Sequence, residues 1–233
     1  MTTQGYARPE LLAETEWLAQ RLNDPNIRIV DCEVPDGYNR AHIPGAVNVG
    51  ANTYLKGGQD RIHVMSEAEV AEFMGGLGIG NDTLVVAYDS RSSLLAARFW
   101  WVLNYYGHTN VKVLNGGWRK WVLERRPITD KPASVARATF SPRVNPSLIV
   151  KGGDLKAQVS KPGVAIWDVR SLAEHTGENT RGNKHAGHIP GACHLEYLSV
   201  MDTEGLTTFK PASEIRRMLT HIGVTPDKQV YTY

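Results

Sequence analysis

Short apolar runs set off by turn residues recur along the chain, and between them apolar positions fall at helical spacing. Leu84-Val85-Val86-Ala87-Tyr88 follows the turn signal Gly80-Asn81-Asp82, and Gln229-Val230-Tyr231-Thr232-Tyr233 follows Pro226-Asp227. Each predicts a short buried strand. Ile27 to Asp31, Val47 to Val49, Val111 to Val113, Leu148 to Val150 and Val164 to Asp168 read the same way. Helical spacing predicts helices over 14–22, 94–106, 154–159 and 213–221, with another bearing Trp118 and Trp121. A further helix follows Ser66, whose Glu69 three residues on completes a capping box; it carries Val70, Phe73 and Met74 and ends in glycines. The segment after Asp31 reads as a loop. Strands alternating with helices predict an α/β chain, each half a mostly parallel sheet with helices on both faces.

The pattern is written twice. His42-Ile43-Pro44-Gly45-Ala46 recurs as His188-Ile189-Pro190-Gly191-Ala192, 146 residues on. Gly78-Ile79 answers Gly223-Val224, and Tyr88 answers Tyr233, each 145 residues on. The strand ending at Asp31 answers the one ending at Asp168 at an offset of 137, so the second copy carries about nine extra residues before its HIPGA turn. The expected organisation is a first domain over 1–130, a proline-bearing linker over 131–147, and the second copy over 148–233. That second copy lacks counterparts of the stretch from Asp89 to about Arg126, two helices and a strand.

Composition narrows the field only a little. The 233 residues are 42% hydrophobic and 21% charged with a net charge of +2, ordinary globular material without a basic block for nucleic acid. No apolar run is long enough to span a membrane, and residues 1–8 have no signal-peptide character. Cys32 and Cys193 are too few and too far apart for a disulfide framework or metal clip. A cytoplasmic setting is expected. No cofactor and no metal is expected either, because His188 repeats as His42 inside HIPGA, where hydrogen bonding within the turn explains it better than ligation beside His185 and His194.

Together, the two Asp…HIPGA units, Tyr88-Asp89 followed by Arg98-Phe99-Trp100-Trp101, Leu114-Asn115-Gly116-Gly117-Trp118, and Gly223-Val224-Thr225-Pro226-Asp227-Lys228 resemble the two-domain rhodanese family, the thiosulfate and 3-mercaptopyruvate sulfurtransferases. The resemblance implies tandem rhodanese-like domains, the first catalytically silent. It implies a cysteine directly after the central strand of the second, shuttling sulfane sulfur as a persulfide from a small anionic donor to cyanide or a thiol. Copy one has Asp89 at that position, and carboxylate oxygen cannot hold sulfane sulfur. In copy two the cysteine is expected immediately after Tyr233. Truncation, cleavage or a modified cysteine that does not count as an ordinary residue would each account for its place outside the sequence.

Arg170, in an Asp-x-Arg context at the carboxyl edge of the sheet, is the substrate-anion contact the resemblance implies; Glu33 stands at the matching place in copy one. The alternative for Arg170 is a structural ion pair, for instance with Glu174. Arg91 is a second, weaker candidate for the anion site, with a solvated loop residue as its alternative, and Leu94 and Leu95 stand where family members often have aromatics. Thiosulfate is favoured over mercaptopyruvate as donor, since no second arginine follows within Ser171 to Gly177. A non-catalytic binding module, or a phosphatase or arsenate reductase on the same fold, are the competing readings.

Overall fold

The computed structural model describes residues 5–233 and divides them into two compact units. One comprises residues 8–146 with 203–208, the other residues 5–7, 147–202 and 209–233. The strands are β1 (Leu12–Ala13), β2 (Ile27–Asp31), β3 (Val47–Asn48), β4 (Leu84–Tyr88), β5 (Val111–Leu114), β6 (Val164–Asp168), β7 (Cys193–His194) and β8 (Gln229–Thr232). They form a five-stranded sheet in the order β1-β5-β4-β2-β3 and a three-stranded sheet in the order β7-β6-β8, with every strand pair parallel.

The large sheet is buried on both faces, as a parallel sheet with crossover helices must be. Side chains alternate along β4. Val85 and Ala87 join a core that includes Leu95, Phe99, Val102 and Leu103 of the helix Leu94–Tyr105 and Val70 and Met74 of the helix Glu67–Gly76. Val86 and Tyr88 enter a second core with Ile27, Ile29, Leu18 and Trp121. The expected capping box at Ser66 is present, Glu69 N–H donating to Ser66 Oγ while the Glu69 carboxylate accepts from the Ser66 N–H.

Two local expectations about secondary structure are corrected. The segment after Asp31, read as a loop, contains the helix Pro35–Arg40, started by a proline at its first position, where the missing N–H has no partner to lose. The corresponding segment of the second unit forms the helix Leu172–Thr176, capped by the Ser171–Glu174 box. Leu148 to Val150 is not a strand: a 3-10 turn covers Pro146–Leu148. Its counterpart β1 is held by β5, and no strand takes the place of β5 among the described residues of the second unit.

The proline-bearing stretch expected as a linker over 131–147 is bound to the first unit as far as Pro146. Phe140 lies in the core, Ala138 N–H donates to the Gly75 carbonyl, and Arg143 and Asn145 donate to the carbonyls of Tyr106 and Tyr105. Gly75 is glycine because an added Cβ would sit 2.7 Å from the Ala138 carbonyl oxygen.

Candidate functional site

Both units build the same frame at the carboxyl ends of a neighbouring strand pair, β2 and β4 in the first and β6 and β8 in the second. In the first, the Tyr88 hydroxyl donates to Asp31 Oδ2 at 2.6 Å and accepts from the Ile43 N–H of the HIPGA turn at 3.1 Å. In the second, the Ile189 N–H donates to the Tyr233 hydroxyl at 3.0 Å, and that hydroxyl lies against Asp168. Beyond Asp31 the Cys32 N–H donates to the Tyr88 carbonyl, and beyond Asp168 the Val169 N–H donates to the Tyr233 carbonyl. The glycine of each HIPGA turn has positive φ, 81° at Gly45 and 78° at Gly191, a conformation that costs other residues energy and explains why the motif keeps it twice.

Chemistry separates the copies. Asp89, at the tip of β4, has its carboxylate enclosed by backbone N–H groups. Oδ1 accepts from Arg91 and Ser93 at 2.8 and 3.0 Å, and Oδ2 from Leu95 and Ala96 at 2.7 and 2.8 Å. Burial pushes this carboxyl up while the four donors pull against it. The loop is thus a finished anion cradle with its anion built in. The tight turn behind it requires Gly117, since a Cβ there would collide with the Asp89 carbonyl oxygen, which accepts from the Trp118 N–H.

Beside this tip lies a cavity of about 350 Å³ lined by Asp31, Glu33, Arg40, Tyr88, Arg91 and Trp118 among others. Glu33 accepts from the Ser90 N–H and hydroxyl at 2.9 and 2.7 Å, and Arg91 lies 3.6 Å from it, with its side chain half exposed. Burial raises the Asp31 pKa from 3.8 to about 6, against the opposing pull of the Tyr88 hydroxyl. Arg91 therefore faces a carboxylate, in a pocket of mixed charge.

At the matching place in the second unit Arg170 forks onto Asp168. Its Nε lies 2.9 Å from Oδ1 and its Nη2 2.6 Å from Oδ2, while Nη2 also donates to the Gly187 carbonyl at 3.0 Å. The guanidinium carbon stands 4.9 Å from the centroid of the Tyr233 ring. Glu174, which sequence spacing offered as the ion partner, instead caps its own helix and pairs with Arg181 at 3.2 Å. A residue the sequence reading passed over completes the group: His175 Nδ1 lies 3.0 Å from Asp168 Oδ2. Burial alone would raise the Asp168 pKa, but hydrogen bonds from Arg170 and His175 overcome it and hold the carboxyl well below the usual range. Asp31 and Asp168 occupy one position in the repeat and shift in opposite directions.

The two thiols stay apart from this chemistry. Cys32 is fully buried and burial pushes its pKa well up, so it is a packing residue. Cys193 is also raised by burial and donates toward the Ile166 carbonyl at 3.3 Å. No helix among the described residues is long and apolar enough to cross a membrane.

The first unit thus ends its central strand in an anion cradle and the second carries an Asp–Arg fork at the carboxyl edge of its own parallel sheet. The Rhodanese-like domain family matches residues 14–124. The sulfur carrier protein TtuD of Thermus thermophilus is 35% identical over 98% of this chain and 84% of its own length. The thiosulfate sulfurtransferase of Azotobacter vinelandii is 30% identical over 98% of this chain and 83% of its own. The crystal structure of SseA from Escherichia coli, a 3-mercaptopyruvate sulfotransferase of rhodanese fold, superposes with a TM-score of 0.83 at 24% identity, over 95% of this chain and 87% of that one. The chain belongs to the two-domain rhodanese family, the sulfur-group transferases.

Proposed function

We propose that the protein moves sulfane sulfur from thiosulfate to cyanide or a thiol acceptor, with Arg170 holding the donor anion and the sulfur carried on a cysteine at the position after Tyr233. The observation that carries this reading is the exchange of Glu33 for Arg170 between otherwise matching frames. It turns a carboxylate-lined pocket into a guanidinium site at the carboxyl edge of the second sheet. The first copy supplies a second support: its loop already encloses one negative charge with four N–H groups, the surroundings that lower a thiol's pKa when cysteine replaces aspartate.

The chemistry balances in two displacements. The thiolate attacks the outer sulfur of thiosulfate, the S–S bond breaks, and sulfite leaves with the electron pair. Cyanide or an acceptor thiolate then attacks the outer persulfide sulfur, and the cysteine thiolate departs. A reducing cytoplasmic setting, expected from the two unpaired cysteines, belongs to the same proposal.

The test is sulfur transfer by the full-length protein, with thiosulfate and 3-mercaptopyruvate compared at saturating cyanide and the stalled intermediate weighed intact. Faster turnover of thiosulfate and a mass gain of one sulfur atom are expected. Preference for mercaptopyruvate overturns the choice of donor. No transfer from either would leave a binding module on the rhodanese fold.

A further inference from the structure

His175 stacks with two other imidazoles, at 3.8 Å and 9° to His188 and at 4.6 Å and 28° to His194. Those two are committed to backbone: His188 Nδ1 lies 2.8 Å from the His175 carbonyl and His194 Nε2 lies 2.9 Å from the Arg170 carbonyl. A carbonyl only accepts, so each of these nitrogens carries its hydrogen. His175 differs in kind. Its Nδ1 donates to Asp168 Oδ2, the same oxygen that accepts from Arg170 Nη2.

The first copy holds Tyr38 at this place. Tyr38 stacks on His42 at 3.7 Å and 12°, and its carbonyl meets His42 Nδ1 at 2.8 Å, just as the His175 carbonyl meets His188. The Tyr38 hydroxyl, however, donates to the Ala46 carbonyl, and Asp31 is served by Tyr88 and the Glu33 N–H. The ring is therefore a shared packing element, while its bond to the carboxylate occurs only in the copy that also has the arginine.

We propose that His175 is a positioning residue for the donor anion, its charge state deciding how far Asp168 neutralises Arg170. The inference rests on the reading of Arg170 as the anion contact. With His175 neutral, Asp168 and Arg170 cancel and the cluster offers an incoming dianion little net attraction. With His175 protonated, Asp168 is shared between two cations and one positive charge is left over. The other groups on the ring are His188 of the HIPGA turn and His194 of β7; around the cluster stand Tyr233 after β8, which lies against Asp168 and Arg170, and Glu174 on the helix of His175, already paired with Arg181. One added charge a few ångströms from a bound anion is worth roughly tenfold in affinity.

The experiment measures KM and kcat for thiosulfate from about pH 5.5 to about pH 8.5, the interval over which an imidazole changes charge. It uses the full-length protein and the variants His175→Gln, His175→Tyr, His194→Gln and Arg170→Ala. Expected for the wild type is a KM that rises roughly tenfold from the acid to the alkaline end. His175→Gln keeps an N–H for Asp168 without the ability to charge, so its KM should sit at the alkaline value throughout, with kcat following the wild-type profile. His175→Tyr, the residue of the first copy, should do the same, and either variant suffices if the other fails to fold. A KM slope that survives in both, or that disappears with His194→Gln instead, overturns the role of His175 while leaving the anion site intact. An unchanged KM in Arg170→Ala would remove the anion site itself.

Discussion

Replacing Asp89 by alanine tests what the cradle is worth. The change deletes the acceptor of four backbone N–H groups, those of Arg91, Ser93, Leu95 and Ala96, in a residue only 2% exposed. Each buried donor left without a partner costs on the order of 1–3 kcal/mol. Release of a buried carboxylate from its desolvation offsets part of the sum, and the loop relaxes, so a net loss of about 3 kcal/mol is expected. In a domain of this size that lowers Tm by about 6–12 °C. Asp89→Asn should fare little better, because its amide nitrogen would face two of the donors. Urea unfolding followed by tryptophan fluorescence reads the first unit, which contains Trp17, Trp100, Trp101, Trp118 and Trp121, while Trp167 lies in the other. Sulfur transfer per folded molecule should stay within about twofold of wild type, since no sulfur passes through a carboxylate. A variant within about 0.5 kcal/mol of wild type would refute the energetic argument. A loss of turnover of about a hundredfold at unchanged stability would assign Asp89 a part in catalysis.

Arg170→Lys should raise the KM for thiosulfate by roughly tenfold or more with kcat less affected, the loss of a charge-assisted fork costing about 1.5–3 kcal/mol; wild-type kinetics in both the lysine and the alanine variant would remove it from the site. Asp31, raised from 3.8 to about 6, adds stability that is fully present below its unfolded pKa and is lost as pH rises through about 6. The stability of Asp31→Asn relative to wild type should therefore improve by up to about 3 kcal/mol between pH 4 and pH 7.5, measured by urea midpoints, and a flat difference would contradict it. Asp168 carries the opposite sign: its depressed pKa gives stability at neutral pH that is lost in acid, so Asp168→Asn should be the less stable protein at pH 7 and approach wild type on acidification, read at Trp167. Gly117→Ala should destabilise the first unit by more than about 2 kcal/mol, because its φ of 50° and the Asp89 carbonyl both exclude a Cβ; a thermal midpoint equal to wild type would show that the turn can move aside.

Much of the fold was legible along the chain because its signals are local. Apolar runs with β-branched residues marked β2, β4, β5, β6 and β8, the Ser66–Glu69 spacing marked a helix start, and the repeated HIPGA turns marked matching places in the two copies. The helix Pro35–Arg40 is not legible in the same way, because its single turn and a half carries little periodicity and its leading proline serves a loop equally well. What the chain could not show is which charges share a carboxylate. Spacing placed Glu174 four residues from Arg170, but the Ser171 cap draws Glu174 back to its own helix end, and Asp168, two residues before Arg170, takes the fork instead. His175 reaches that same carboxylate because the helix Leu172–Thr176 turns it back toward the end of β6. The proline-bearing stretch likewise read as a linker, since its hydrogen bonds run to Gly75, Tyr105 and Tyr106, tens of residues away. Periodicity reports the face a side chain turns to its own element. Ion pairs and straps depend on which loops the parallel strands deliver to one edge of the sheet, and that is settled only when the sheet is assembled.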